Sequence, residues 1–89
     1  MRELRAAMRD RHKVSITYRK AEDDAAPTAR IVEPLGLYFW GKTWTLGAWC
    51  ELRGGFRTFR LDRITALTIL TDSTYTRTPD DYIRHAEES

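Results

Sequence analysis

Apolar residues change their spacing twice along the chain. Between Arg2 and Arg11, Leu4, Ala7 and Met8 recur at three- and four-residue steps, which predicts a short helix. Arg2, Arg5 and Arg9 fall on or near its opposite side, as a solvated face or a phosphate-contacting one. From Val14 the step falls to two. Val14, Ile16 and Tyr18 alternate with polar residues, the pattern of a half-buried strand. An acidic polar stretch, KAEDDAAPT, then interrupts the periodicity and reads as a loop.

The longest apolar stretch, ARIVEPLGLYFWGKTWTLGAWC, predicts two strands around a tight turn at Gly41-Lys42. Ile31, Leu35, Leu37 and Phe39 share one register, and Trp44, Leu46, Ala48 and Cys50 share another. Pro34 and Gly36 interrupt the first strand and predict a bend or bulge there. Arg53-Gly54-Gly55 is a second turn, FRTFRL a further strand, DRI a short turn and TALTILT a last strand. One helix and about five short antiparallel strands result. Strands this short close most economically into a small barrel, because closure removes exposed edges. The expected fold is therefore mainly β, a small five-stranded antiparallel SH3/Sm-like barrel with an N-terminal helix. Residues 1–78 form the barrel domain, and residues 79–89 are a short C-terminal tail or truncated linker beginning Pro79-Asp80-Asp81.

Composition narrows the function. With 89 residues the chain holds one modest core, too small for a barrel enzyme or a two-domain binding fold. The net charge is +2, but the tail carries four acids against Arg84, which leaves about +5 on the first 78 residues. That excess attracts phosphates. Cys50, the single cysteine, stands among apolar neighbours and reads as a buried thiol. There is no signal-peptide core and no apolar run of membrane-spanning length, so a cytoplasmic location is expected. His12 and His85 stand at opposite ends of the sequence, and no Cys/His spacing suits zinc. With no phosphate-binding glycine loop and no nucleophile–base pair, neither an enzyme nor a cofactor is expected.

The stretch Val32–Ile64, VEPLGLYFWGKTWTLGAWCELRGGFRTFRLDRI, resembles the WYL domain. The resemblance extends more loosely from Leu4 to Thr71. It rests on Pro34-Leu35-Gly36-Leu37, on the tryptophan-centred strand ending Ala48-Trp49-Cys50, and on the FRTFRLDRI strand and turn. The family's Trp-Tyr-Leu motif reads Trp44-Thr45-Leu46 here, so no tyrosine contact is carried over to position 45. The resemblance implies an Sm-like barrel acting as the sensor of a bacterial transcription regulator. A winged helix-turn-helix would precede it and a C-terminal extension follow it. The implied ligand is a negatively charged effector, single-stranded nucleic acid or a nucleotide.

The residues expected to bind it lie in and around FRTFRLDRI. Arg57 and Arg60 point to opposite faces of a regular strand, with Arg57 in the register of Phe59 and Leu61. If Leu61-Asp62-Arg63-Ile64 tightens into a 3₁₀ turn, Arg60 and Arg63 share a face and form the centre of an anion site, with Arg57 at its rim. The planar guanidinium fork suits phosphate. Trp49 and Tyr38, in the registers opposite Trp44 and Phe39, are candidates for base stacking. Trp44 reads primarily as core, with ligand contact as its alternative. Solvated strand charge is the alternative for Arg57 and Arg60, and pairing with Asp62 or Glu33 for Arg63. The competing function is a protein-interaction module, a homodimer without a ligand of its own.

Overall fold

The computed structural model describes residues 2–19 and 28–88. Most of the acidic loop, residues 20–27, lies outside the described residues.

Helix α1 (Arg2–Asp10) buries Leu4 and Ala7 completely. It ends where Arg11 turns left-handed, at φ 59°, and the amide of His12 reaches back to the Ala7 carbonyl at 2.9 Å. This closure satisfies an orphaned carbonyl of the last turn. The chain then enters β1 (Lys13–Tyr18), β2 (Thr28–Trp40), β3 (Thr43–Cys50), β4 (Gly55–Arg60), a 3₁₀ turn (Leu61–Arg63) and β5 (Ile64–Leu70), and ends in α2 (Pro79–Glu88). The five strands form one antiparallel sheet in the order β4-β3-β2-β1-β5. The expected mainly-β, barrel-like fold forms, but its ladder stays open: among the described residues β4 and β5 do not pair. The 3₁₀ turn joins those two edges, and the Arg19 amide donates to the Arg63 carbonyl at 3.0 Å, which extends the β1–β5 pairing by one step beyond Tyr18 and Ile64.

The inner face buries Val14, Ile16, Val32, Leu46, Ala48, Cys50 and Phe59, with Leu4 and Ala7 packed on it from α1. The β2–β3 turn has Gly41 at φ 59°, a conformation that glycine adopts without steric cost.

The bulge expected at Pro34 and Gly36 is present: Pro34 pairs with Ala48 while Gly36 pairs with Gly47. Its consequence corrects the expected register. Before the bulge the even residues Arg30, Val32 and Pro34 face inward; after it Leu37 faces inward, opposite Leu46. One extra residue flips the alternation. Ile31 is therefore 40% exposed and does not share a face with Leu37. Phe39 and Trp44 pair across the hairpin in the inward register but lie beyond the core. Both are exposed, which corrects the reading of Trp44 as core: the sheet runs on past the last layer it covers.

Candidate nucleic-acid interface

The 3₁₀ turn forms at Leu61–Arg63 as the sequence suggested, directly after Arg60. Tyr18 ties the surrounding elements together. It pairs across the ladder with Thr28 on one side and Ile64 on the other, and its hydroxyl accepts the Arg60 amide at 3.2 Å. Its ring meets Phe59 edge-on at 5.1 Å. Arg60, Arg63 and the N-terminal end of β2 are thereby gathered at one end of the roll.

Arg60 already holds an anion. Its Nε and Nη2 donate to the two carboxylate oxygens of Asp62 at 3.2 and 2.8 Å. The acid two residues away, rather than Arg63, forms the local pair. Both side chains are well solvated, so the pair contributes little. Arg63 is half-buried in the turn. Arg57 pairs with Ala48 in the ladder, in the inward register and opposite in sense to Arg60, which pairs with Thr45. On edge strand β4 it is exposed and donates to the Phe56 carbonyl at 3.2 Å.

Exposed Trp44 precedes Thr45, the strand partner of Arg60, and its ring lies 5.3 Å from that of Phe39. Trp44 and Thr45 point to opposite faces, so the Phe39–Trp44 pair lies on the face opposite the Arg60 side chain and the structure does not bring Trp44 together with Arg60. Sequence reasoning missed Arg30, which lies opposite Ile16 on the inner face, is 92% buried, and directs Nε toward the Thr28 hydroxyl at 3.3 Å. The inward shift before the bulge is the signal that would have found it.

Trp49 and Tyr38 belong to a different place, the outer face of β2 and β3. There they are covered rather than open. The Arg77 guanidinium lies 3.6 Å from the Trp49 ring centre and binds both oxygens of Glu33, at 3.0 and 2.9 Å. Tyr82 of α2 stacks on Tyr38 with centres 5.6 Å apart and planes 18° from parallel. Phe56 meets Trp49 edge-on and contacts both Tyr82 and His85. Residues 79–88 thus dock on the sheet, and an open cleft beside them is lined by Trp49, Phe56, Arg77, Asp81, Arg84, His85 and Glu88. Burial holds the Tyr38 phenol above its ordinary pKa, with a further push from Tyr82.

Tyr75 anchors the approach to α2. The bulge frees the Pro34 carbonyl from the ladder, and the buried Tyr75 hydroxyl donates to it. No group of three or more His, Cys, Asp or Glu among the described residues could hold a metal. No helix among the described residues is long and apolar enough to cross a membrane.

A profile of the WYL domain matches residues 1–69. Protein PafC of Mycobacterium leprae (strain TN) is 41% identical over 61 residues, covering 68% of this chain and 18% of that protein. The solved structure of proteasome accessory factor B/C (PafBC) of Arthrobacter aurescens superposes with a TM-score of 0.75 at 32% identity, covering 82% of this chain and 11% of that one. The chain therefore spans less than a fifth of the length of either relative.

Proposed function

The chain belongs to the WYL domain family, and we propose that it is the effector-sensing domain of a cytoplasmic bacterial transcription regulator. Its ligand is a negatively charged effector, single-stranded nucleic acid or a nucleotide-like anion. Arg60 and Arg63 bind the phosphate, and Arg57 contributes from the rim. In a full-length regulator a flanking DNA-binding domain reads out the bound state. No catalytic step is assigned to the domain.

One observation carries this reading: Arg60 presents a complete bidentate fork at the 3₁₀ turn, engaged by the solvated carboxylate of Asp62. A phosphate displaces Asp62 without opening the core, and each phosphate bound releases counterions. The test is fluorescence anisotropy of a labelled ten-residue oligothymidylate at low and physiological salt, with wild type and Arg57→Ala/Arg60→Ala. Binding that weakens steeply with salt and is lost in the double variant is expected. No binding at low salt, or binding indifferent to both substitutions, overturns the assignment to nucleic acid.

A second reading has its own observation. Phe39, Trp40 and Trp44 are 55%, 68% and 45% exposed around one hairpin, an apolar surface suited to a homodimer or another protein partner. Concentration-dependent dimerisation in sedimentation, abolished by Trp40→Ser, would favour it. A strict monomer would count against it.

A further inference from the structure

The outer face of the sheet contains a slot shaped for a flat ring. Gly36 and Gly47 face each other across the bulge as ladder partners and form its floor. A Cβ on Gly47 would stand 2.6–2.9 Å from the Tyr82 ring, and one on Gly36 2.5–2.9 Å from the Tyr38 ring, so any larger residue would fill the space that the two tyrosines occupy. Tyr38 forms one wall and stacks nearly parallel on the occupant. Phe56 approaches it edge-on, with centres 6.2 Å apart. At the far end Thr58 and the Tyr82 hydroxyl share a hydrogen bond of 2.5 Å. The slot therefore offers a stacking surface, an edge contact and a polar group at the rim, the elements that hold a nucleobase in sequence-tolerant single-strand binding.

Its occupant is loosely held. No residue of α2 is buried. The helix also carries its own start signal: the Thr78 amide donates to Asp81 Oδ2 at 2.8 Å, and the Asp81 amide to the Thr78 hydroxyl at 3.3 Å. This reciprocal capping box satisfies two donors of the first turn from within α2 and its N-cap, without help from the sheet.

We propose that Tyr82 is an internal plug in a nucleobase-binding slot formed by Gly36, Gly47, Tyr38 and Thr58, and that α2 leaves the slot when a base of single-stranded nucleic acid enters it. The inference rests on the nucleic-acid reading above and adds to it a second contact of different chemistry. The arginines take phosphate; the slot takes a base, in competition with the chain's own tyrosine.

The test uses the full chain and two labelled probes of equal length and charge, a ten-residue oligothymidylate and its abasic counterpart. Tyr82→Ala is expected to tighten oligothymidylate binding by about two- to fivefold, because the plug no longer has to be displaced. Abasic binding should stay unchanged. Gly47→Ala added to Tyr82→Ala should abolish the gain by raising the slot floor. In wild type, saturating oligothymidylate should speed amide exchange across residues 79–88, and the abasic strand should not. This second measurement does not depend on how well the variant folds.

Equal effects of Tyr82→Ala on both probes, or no gain, overturn the slot while leaving arginine-dependent wild-type binding intact. Unchanged α2 protection in the saturated wild type does the same. If wild type fails to bind and Tyr82→Ala binds oligothymidylate alone, the plug is supported in a form that closes the free domain. If neither protein binds either probe, slot and phosphate site fall together.

Discussion

Glu33 is the side chain on which the lower sheet depends. It is only 4% exposed, and Arg77 is its bidentate partner while lying flat on Trp49. Removing the guanidinium leaves a carboxylate in a site water scarcely reaches, and uncovers an indole face. Arg77→Ala should therefore cost about 2–3 kcal/mol, toward the low end for a broken buried pair because Arg77 itself is 38% exposed. Urea denaturation measures it, and Glu33→Gln in the same background should restore part of the loss. Asp81 gives a pH-dependent counterpart. The Thr78 amide is the chief cause of its lowered pKa, with smaller help from the Thr78 hydroxyl, Arg84 and Arg77. A lowered pKa in the folded state means that the contribution is complete above the ordinary aspartate value of about 4, and drains away as pH falls below it. The N-terminal turn of α2 should loosen in that acidic window, seen as faster exchange at residues 79–82, and Asp81→Asn should remove the pH dependence. At this scale the sequence was partly legible. The arginines of FRTFRLDRI were visible as a group, but not their partners: Arg60 took Asp62, and Glu33 went to Arg77, 44 residues away.

Among the elements, β2 decides most of what positions both candidate sites. Its pairing with β1 turns Arg30 inward and leaves Ile31 outward, and its bulge then exchanges the faces and sets Gly36 opposite Gly47. Pro34 and Gly36 marked the bulge in the sequence, yet periodicity alone could not say that the register changes across it. Alternation carries no marker for an inserted residue, and one insertion exchanges the faces of everything downstream. The hairpin had a similar blind spot. Phe39 and Trp44 alternate as core residues do, and only the extent of the layers above them shows that they lie uncovered. A substitution at the bulge should report on the outer face specifically. Gly36→Ala places a methyl where the Tyr38 ring lies. That ring can swing aside, so the cost should be about 1–2 kcal/mol rather than a collapsed fold. The near-ultraviolet signal of the Tyr38–Tyr82 stack should fall while the far-ultraviolet strand signal holds. Loss of both together would mean that the bulge glycine supports the whole sheet.

The molecule is an open sheet with a helix on each face, and the two helices are attached in different ways. α1 buries Leu4 and Ala7 in the same cluster as Val14, Ile16, Val32 and Leu46, so it completes the core that the unclosed ladder leaves exposed. α2 has no fully buried residue and rests on the other face through partly buried Tyr82 and ring contacts. The N-terminal helix was legible because its apolar stripe needs a partner. The second helix was expected only as a short tail or truncated linker, because the rings it packs on, Tyr38 and Trp49 of the outer face, read as surfaces for a ligand. From this asymmetry follows a difference in cooperativity. Regions with little buried apolar contact open at lower free energy than the core around them. Leu4→Ala should cost about 3 kcal/mol, from lost burial and the cavity left behind, and lower the melting temperature by about 10–20 °C. Tyr82→Ala should cost no more than about 1 kcal/mol by the same melt, because it releases an element that already opens alone. Amide exchange in wild type provides the independent check. Residues 79–88 should exchange with a free energy well below that of β1 and β3, whereas the amides of α1 should follow the strands. If α2 and the strands were to exchange together, docking on the outer face would be part of the global fold, and a ligand could not lift the helix without unfolding the sheet.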